Sequence, residues 1–324
     1  MRAIQVSAYG GPEVLTSVDI NLPIPAEGEI RIKIEWTGIN FIDIYQRTGL
    51  YPLDLPFTPG MEASGIVDEV GPKVSNIEKG TRIVYAMVVG SYAEYAVIPA
   101  ENAVKIPNSI STKFAAAVFL QGLTAHYLLN STYKINQTST ILIHAAAGGV
   151  GQLLIQMAKL KGASVLATAS SQKKIAIAKD LGADEVINYT EKNFSKEINK
   201  LTNGLGVDVV YDSVGKTTLE GSLKSLKSRG MLVSYGNSSG AVQNISPLTL
   251  SQNGSLYLTR PTLGDYIRTP NELQERSIDL FTWIIASKLN ISIYKEFNLH
   301  DVGSAHKSLS ERLTTGKLVA SPNY

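Results

Sequence analysis

The sequence contains no cysteine. Disulfides, iron–sulfur clusters, thiolate zinc sites and a thiol nucleophile are therefore excluded, and the absence suits a reducing compartment. Histidine is scarce too: His126, His144, His300 and His306 are the only four, and none stands at a metal-ligand spacing. His300 and His306 read as surface residues. An excess of charge is also lacking. Thirty Lys and Arg against 28 Asp and Glu leave a formal charge of +2, and the basic residues form no tract, so nucleic acid is not an expected partner. Nor is there a long apolar run. The most apolar stretch, Ile141 to Leu160, is interrupted by His144, glycines, Gln152, Gln156 and Lys159, which suits a buried strand and a packed helix better than a membrane span. The opening MRAIQVSAYGGPEVL has neither the basic stretch nor the apolar core of a secretion signal. A cytoplasmic location with no membrane partner is the expectation.

What is present points to two domains, for which 324 residues suffice. Residues 1 to about 120 read as short strands and turns. Ile30 to Ile34 alternates with period two, and Gly65–Val70, Thr81–Ala86 and Ala93–Ile98 are strand-like. This part reads as a β-rich, partly open barrel. Beyond it the pattern changes to α/β. The strand Thr140–Ala145 is followed by a helix with Val150, Leu153, Leu154, Met157 and Ala158 on one face, and Gly162 is placed to end it. Strands at Val165–Thr168, Glu185–Asn188, Val207–Asp212 and Met231–Tyr235 alternate with helices at Lys173–Leu181, Ser195–Leu201 and Leu219–Leu226. That alternation predicts a doubly wound parallel sheet covered on both faces. A helix near Leu273–Ala286 and a strand near Asn290–Phe297 carry the chain back to the first domain.

The turn Ala145-Ala146-Ala147-Gly148-Gly149-Val150-Gly151 lies between a strand and an amphipathic helix. It departs from GxGxxG because Ala146 stands at the first glycine. Small residues still let backbone approach a pyrophosphate, the helix N-terminus presents N–H groups to it, and Gly151 allows close helix–sheet packing. In this βαβ context the turn reads as a dinucleotide site, with a purely structural turn as the alternative. An NAD site usually carries an acid about 20 residues further on. Here Ala167 to Lys174 reads ATASSQKK, with hydroxyls and two lysines and no acid, which favours NADPH. Two lysines in a helix's first turn are an odd choice for structure alone.

Further motifs carry a resemblance. Asn40-Phe41-Ile42-Asp43, Tyr45, Arg47 to Pro52, Pro59 to Gly65, His144 to Gly151, Val210 to Gly215 and Gly236 to Gly240 resemble the zinc-free quinone oxidoreductases, zeta-crystallin-like members of the medium-chain dehydrogenase/reductase superfamily. The resemblance spans nearly the whole chain. It implies a GroES-like catalytic domain over 1–122, a Rossmann NADPH-binding domain over 123–265, a return to the catalytic domain over 266–324, and a homodimer. It also implies cofactor contacts at Asn40, Tyr45, Thr124, Tyr127, Gly148, Gly149, Val150, Ser170, Lys174, Tyr189, Ser213, Gly236, Asn237, Leu256, Leu258 and Arg312, with Asn40, Tyr45, Gln121 and Tyr51 lining the catalytic site. Without it, Tyr45, Tyr51 and Tyr127 read equally as half-buried aromatics, Tyr189 as a surface residue, and Asp43 and Glu62 as loop supports. Strand-like Ser255–Thr259 is a candidate edge for subunit pairing.

Where zinc-dependent relatives carry Gly-His-Glu, this chain reads Gly60-Met61-Glu62, and methionine is a poor zinc ligand. No metal is expected. Hydride transfer needs no protein nucleophile, because the cofactor carries that chemistry, and a quinone is electrophilic enough to need little further activation. The expected activity is NADPH-dependent quinone reduction. The alternatives are reduction of alkenal or enone double bonds, and a non-catalytic cofactor- or RNA-binding crystallin-like role.

Overall fold

The computed structural model describes residues 1–322. They form two compact units. One comprises Met1–Gln121, Ile267–Ile285 and the chain from Ile291 onward; the other comprises Gly122–Tyr266 and Ala286–Asn290.

The first unit is built on a sheet with the strand order Ile293–Asn298, Lys317–Ser321, Glu29–Ile39, Glu62–Val70, Arg82–Ala86 and Val104–Lys105, with Tyr95–Pro99 also paired to Glu29–Ile39. All pairs are antiparallel except Ile293–Asn298 with Lys317–Ser321. The long Glu29–Ile39 strand is the hub, and register shifts at Arg31/Ile32 and Ile34/Trp36 bend it so that it can serve three neighbours. Its alternating Ile30, Ile32 and Ile34 are fully buried in a core with Val67, Ile83 and Ile98. The expected strands are therefore present, but residues 1–120 are not only strands and turns. Phe41–Arg47 is a helix, and so is Thr112–Tyr127. The second has no polar stripe over Ala115–Phe119, all fully buried, and an all-round apolar helix gives no amphipathic signal.

In the second unit six strands run Glu185–Asn188, Ser164–Ala169, Thr140–Ile143, Val207–Asp212, Leu226–Ser234, Tyr257–Thr259, every pair parallel. Counted along the chain this is the doubly wound order 3-2-1-4-5-6, with its topological switch between Thr140–Ile143 and Val207–Asp212. Helix Gly149–Leu160 follows the first strand, Gln172–Asp180 the second and Phe194–Leu201 the third. Leu142, Leu166, Val210 and Leu232, from successive strands, meet Ile198 and Leu223 of covering helices in one core. Tyr257–Thr259 is an edge strand, and Tyr257 is 59% exposed.

Candidate active site

Ligands of open α/β sheets bind beyond the carboxyl ends of the strands, at the switch, and the second unit concentrates its candidate residues there. Gly148 caps helix Gly149–Leu160 in extended conformation, leaving the first-turn N–H groups of Gly149, Val150 and Gly151 without intrahelical partners. A Cβ on Gly151 would lie 2.5 Å from the Ala145 carbonyl oxygen and 2.9 Å from the Ala146 Cα, so only glycine lets this helix start so close to the strand. Gly151→Ala is expected to cost about 1–3 kcal/mol through overpacking, read as a lowered thermal unfolding midpoint.

At the next strand end, Ser171 caps helix Gln172–Asp180, its hydroxyl accepting from the Lys174 N–H at 3.4 Å. Ser170 and Lys174 are half-buried and Lys173 is exposed. The Tyr189 N–H donates to the Ala169 carbonyl at 3.2 Å, and Tyr189 is 39% exposed. Ser170 and Tyr189 therefore share one corner. Past Val207–Asp212, the Asp212 carboxylate accepts from the N–H groups of Val214 (2.8 Å) and Gly215 (3.0 Å). Gly236 presses on this turn, where a Cβ would come within 2.5 Å of the Ser213 carbonyl oxygen. The structure thus brings Ser213, Gly236 and Asn237 together.

Other candidates stand differently. Tyr127 is 1% exposed and stacks on Tyr266, centroids 4.2 Å apart, with burial raising its phenol pKa. Thr124, nearly buried, lies on the same helix, and half-buried Gln121 precedes it. The Leu256 side chain belongs to the sheet core, whereas Leu258 is exposed on the edge strand. Arg312 is exposed in a turn after helix Val302–Ser310, with φ +59°.

In the first unit Asn40 is the N-cap of helix Phe41–Arg47 and sits on a buried ionic core. Its Nδ2 donates to the Gly38 carbonyl (3.2 Å) and to Glu62 Oε2 (3.0 Å), while its Oδ1 accepts from Lys317 Nζ (2.8 Å). Lys317 Nζ also binds Glu62 Oε2 at 2.5 Å, both side chains wholly buried, and Glu62 Oε1 accepts from the Leu120 N–H. Both amide hydrogens of Asn40 are thus committed, and its side chain also caps the helix in a capping box with Asp43. Tyr45, on the same helix, meets the edge of half-buried Tyr51 at 5.2 Å, and the Tyr51 N–H donates to its carbonyl.

Behind Asn40 lies a chain of charged and polar groups. The Asn40 N–H and the Tyr92 hydroxyl both donate to Asp43 Oδ2 at 2.8 Å. With its proton on Asp43, Tyr92 accepts from His306 Nε2 (3.0 Å), and His306 Nδ1 accepts from Arg47 Nη1 (3.2 Å). His306 is therefore not a surface residue; it is fully buried, while its sequence neighbour His300 is exposed. Burial, with the Arg47 charge beside it, pushes the His306 imidazole down to about 3. Burial pushes the Asp43 carboxyl up to about 7, against the opposing pull of the Asn40 N–H, Tyr92 and Lys317, and its Oδ1 has no hydrogen-bond partner. An unfolded Asp43 ionises near 3.8, so between about pH 4 and about pH 7 the folded chain holds a proton that the unfolded chain has lost. Stability from this group falls as pH rises through that window. His306 acts oppositely, because the unfolded imidazole gains a proton as pH falls below 6.5 and the folded one does not until about 3. Asp43→Asn isolates the first slope: in urea unfolding, its stability relative to the parent is expected to be higher at about pH 8 than at about pH 5, and an equal difference at both refutes the assignment.

A Rossmann unit of this strand order joined to a sheet-rich unit is the architecture of a two-domain dehydrogenase. Residues 26–108 match the alcohol dehydrogenase GroES-like domain and residues 149–283 the zinc-binding dehydrogenase family. The quinone oxidoreductase of Pseudomonas aeruginosa is 45% identical over 323 residues, covering 99% of both chains. The crystal structure of Escherichia coli quinone oxidoreductase complexed with NADPH superposes with a TM-score of 0.98 at 44% identity, covering 99% of this chain and 100% of that one. The 2-haloacrylate reductase of a Burkholderia species is 37% identical, with 99% of both chains covered. The chain belongs to the quinone oxidoreductase family of the medium-chain dehydrogenases/reductases.

One of these matches is described as zinc-binding, and the residues here do not fit a zinc ion. There is no thiolate, the Met61 sulfur accepts from Gln46 Nε2 at 3.2 Å, and Glu62 is held by Lys317. Among the described residues no group of three His, Cys, Asp or Glu side chains could hold a metal.

Lys317 and His306 are the participants that the sequence did not reveal. Each is a single polar residue far along the chain from its partners: Lys317 is 255 positions from Glu62, and His306 is 259 from Arg47. No local pattern marks such a pair.

Proposed function

We infer that this chain catalyses NADPH-dependent reduction of quinones by hydride transfer, without a metal. The observation that carries this reading is the phosphate-binding helix start at the sheet switch, with an acid-free, lysine-bearing turn at the neighbouring strand end. The N–H groups of Gly149 to Gly151 suit a pyrophosphate. Ser170, Lys174 and Tyr189 suit a 2′-phosphate, and the Ser213, Gly236 and Asn237 backbone forms a wall for the rest of the dinucleotide. When bound, the nicotinamide supplies the hydride.

In the first unit, the amide of Asn40, held by Glu62 and Lys317, offers a fixed polar group. The Tyr45–Tyr51 pair offers aromatic surface and hydroxyls to a flat acceptor. The buried ammonium of Lys317 is committed to Glu62 and Asn40, which supports chemistry on an acceptor that is already electrophilic. Protons for the reduced oxygens come from solvent or a tyrosine hydroxyl.

Similarity to a 2-haloacrylate reductase favours one second reading, reduction of an activated carbon–carbon double bond. Following nicotinamide absorbance with ortho-quinones, para-quinones and enones, each with NADPH and NADH, separates the two. Quinone turnover with NADPH preferred is the expected result; enone turnover alone favours the second reading, and no oxidation with any acceptor overturns both.

A homodimer through the edge strand Tyr257–Thr259 is part of the same proposal, supported by exposed Tyr257 and Leu258 on an unpaired sheet edge, and light scattering tests it. Among the described residues no helix is long and apolar enough to cross a membrane. The cytoplasm as the location is part of the same proposal.

A further inference from the structure

The second unit holds a buried histidine that the proposed reaction does not use. His144 is 1% exposed and directly follows the strand Thr140–Ile143. Its Nδ1 lies 2.9 Å from Thr168 Oγ1, on the second strand, and its Nε2 lies 3.0 Å from Ser222 Oγ, on helix Leu219–Lys224. The Ser222 hydroxyl donates to Asp212 Oδ2 at 2.8 Å, and Asp212 closes the fourth strand. Thr168, Ser222 and Asp212 are all at most 2% exposed. The Phe194 ring meets the imidazole edge-on at 4.8 Å and seals it from one side.

Proton counting gives this chain a direction. A carboxylate only accepts, so the single Ser222 proton goes to Asp212, and Ser222 Oγ must then accept from His144 Nε2–H. Burial lowers the His144 pKa and keeps the ring neutral, so Nδ1 carries no proton and accepts from the Thr168 hydroxyl. Four side chains are thus joined head to tail, Thr168 to His144 to Ser222 to Asp212, with no donor or acceptor left over between them.

The placement gives the chain a role beyond filling the core. Each strand end it touches is followed by a turn with residues assigned above to the cofactor: Gly148–Gly151 after His144, Ser170–Lys174 after Thr168, Ser213 after Asp212. The backbone repeats the connection, since the Ala146 N–H donates to the Thr168 carbonyl and the His144 N–H to the Tyr211 carbonyl, both at 3.1 Å. Asp212 uses its other oxygen to shape the Ser213 turn directly.

We propose that His144 is a positioning residue for the dinucleotide, holding the three phosphate- and nicotinamide-side turns in mutual register through Thr168, Ser222 and Asp212. This rests on the reading of the second unit as an NADPH site. His144 touches no reacting atom, so its loss raises the dissociation constant and KM for NADPH and leaves kcat at saturating NADPH nearly unchanged. Glutamine can accept from Thr168 and donate to Ser222, whereas phenylalanine can do neither and strands both hydroxyls.

The test measures NADPH binding by titration calorimetry, well below the unfolding midpoint, for the parent chain, His144→Phe and His144→Gln. His144→Phe is expected to bind NADPH about tenfold or more weakly, as befits a buried hydrogen-bond chain left unpaired, and His144→Gln is expected to recover most of the loss. Thr168→Val and Ser222→Ala each break one link in nearly the same shape. They are expected to weaken binding in the same direction, and they decide the matter if the phenylalanine variant does not fold. Histidine ring 15N shifts are expected to report protonated Nε2 and bare Nδ1 at neutral pH. If the parent binds NADPH and the folded variants bind within about twofold of it, the chain is merely structural and the proposal fails alone. If the parent does not bind NADPH, the cofactor reading fails and takes the proposal with it.

Discussion

Lys317→Met is expected to destabilise the first unit by roughly 3–5 kcal/mol, the cost of leaving a buried charge without its partner. Glu62 is completely buried, and among the described residues Lys317 supplies the one cation within bonding distance of it. With the ammonium gone, the Glu62 carboxylate keeps the Leu120 N–H and the Asn40 amide, which cannot offset the desolvation of a full charge. The loss is measured as a shift in the urea unfolding midpoint. Combining Lys317→Met with Glu62→Gln tests the cause, because a neutral amide in the same place needs no counter-ion. The double variant is expected to recover more than half of the stability. If Lys317→Met stays within about 1 kcal/mol of the parent, or the double variant is worse than the single one, the pair does not act as described. Quinone reduction is expected to fall in Lys317→Met even where the protein remains folded, because Asn40 Oδ1 then turns without its anchor.

Lys174→Glu is expected to reverse the cofactor preference. In the proposed site this side chain faces a 2′-phosphate, and charge-assisted hydrogen bonds of that kind contribute about 1.5–3 kcal/mol. Losing the bond and adding a repelling carboxylate should raise the NADPH KM roughly 30- to 100-fold. NADH has a hydroxyl at the same position and should lose little or gain slightly. The ratio of kcat/KM for the two cofactors reads this directly, and an unchanged ratio removes Lys174 from the phosphate site. High salt provides a control, since a half-buried, partly solvated contact weakens as ions screen it.

How much of this was legible beforehand depended on the range of the interactions. The Rossmann half was readable because each strand–turn–helix step is local. The one-sided apolar spacing from Val150 to Ala158 and the ATASSQKK stretch are each complete within a dozen residues, as is the Gly151 contact with the Ala145 carbonyl. The helix Thr112–Tyr127 was not readable, because a helix buried on nearly every side has no period to detect. Lys317 and His306 were missed for a different reason. A lysine leading into an apolar strand and a histidine in a helix near the end of the chain both read by default as solvent-facing. Only tertiary pairing with Glu62, Asn40, Tyr92 and Arg47 turns them inward.

The sheet of the first unit also dictates an order of assembly during synthesis. The Thr37–Ile39 end of its hub strand pairs with Lys317–Ser321, so a growing polypeptide emerges with that end open and with Glu62 lacking its cation. The missing lysine follows 255 residues later, on the order of 13–50 s at usual elongation rates. In that interval the whole second unit emerges, with all six strands of its sheet. The amino-terminal sheet is therefore translated first and completed last. The nascent chain must keep the Thr37–Ile39 end of that strand from pairing wrongly until its carboxyl-terminal strand arrives.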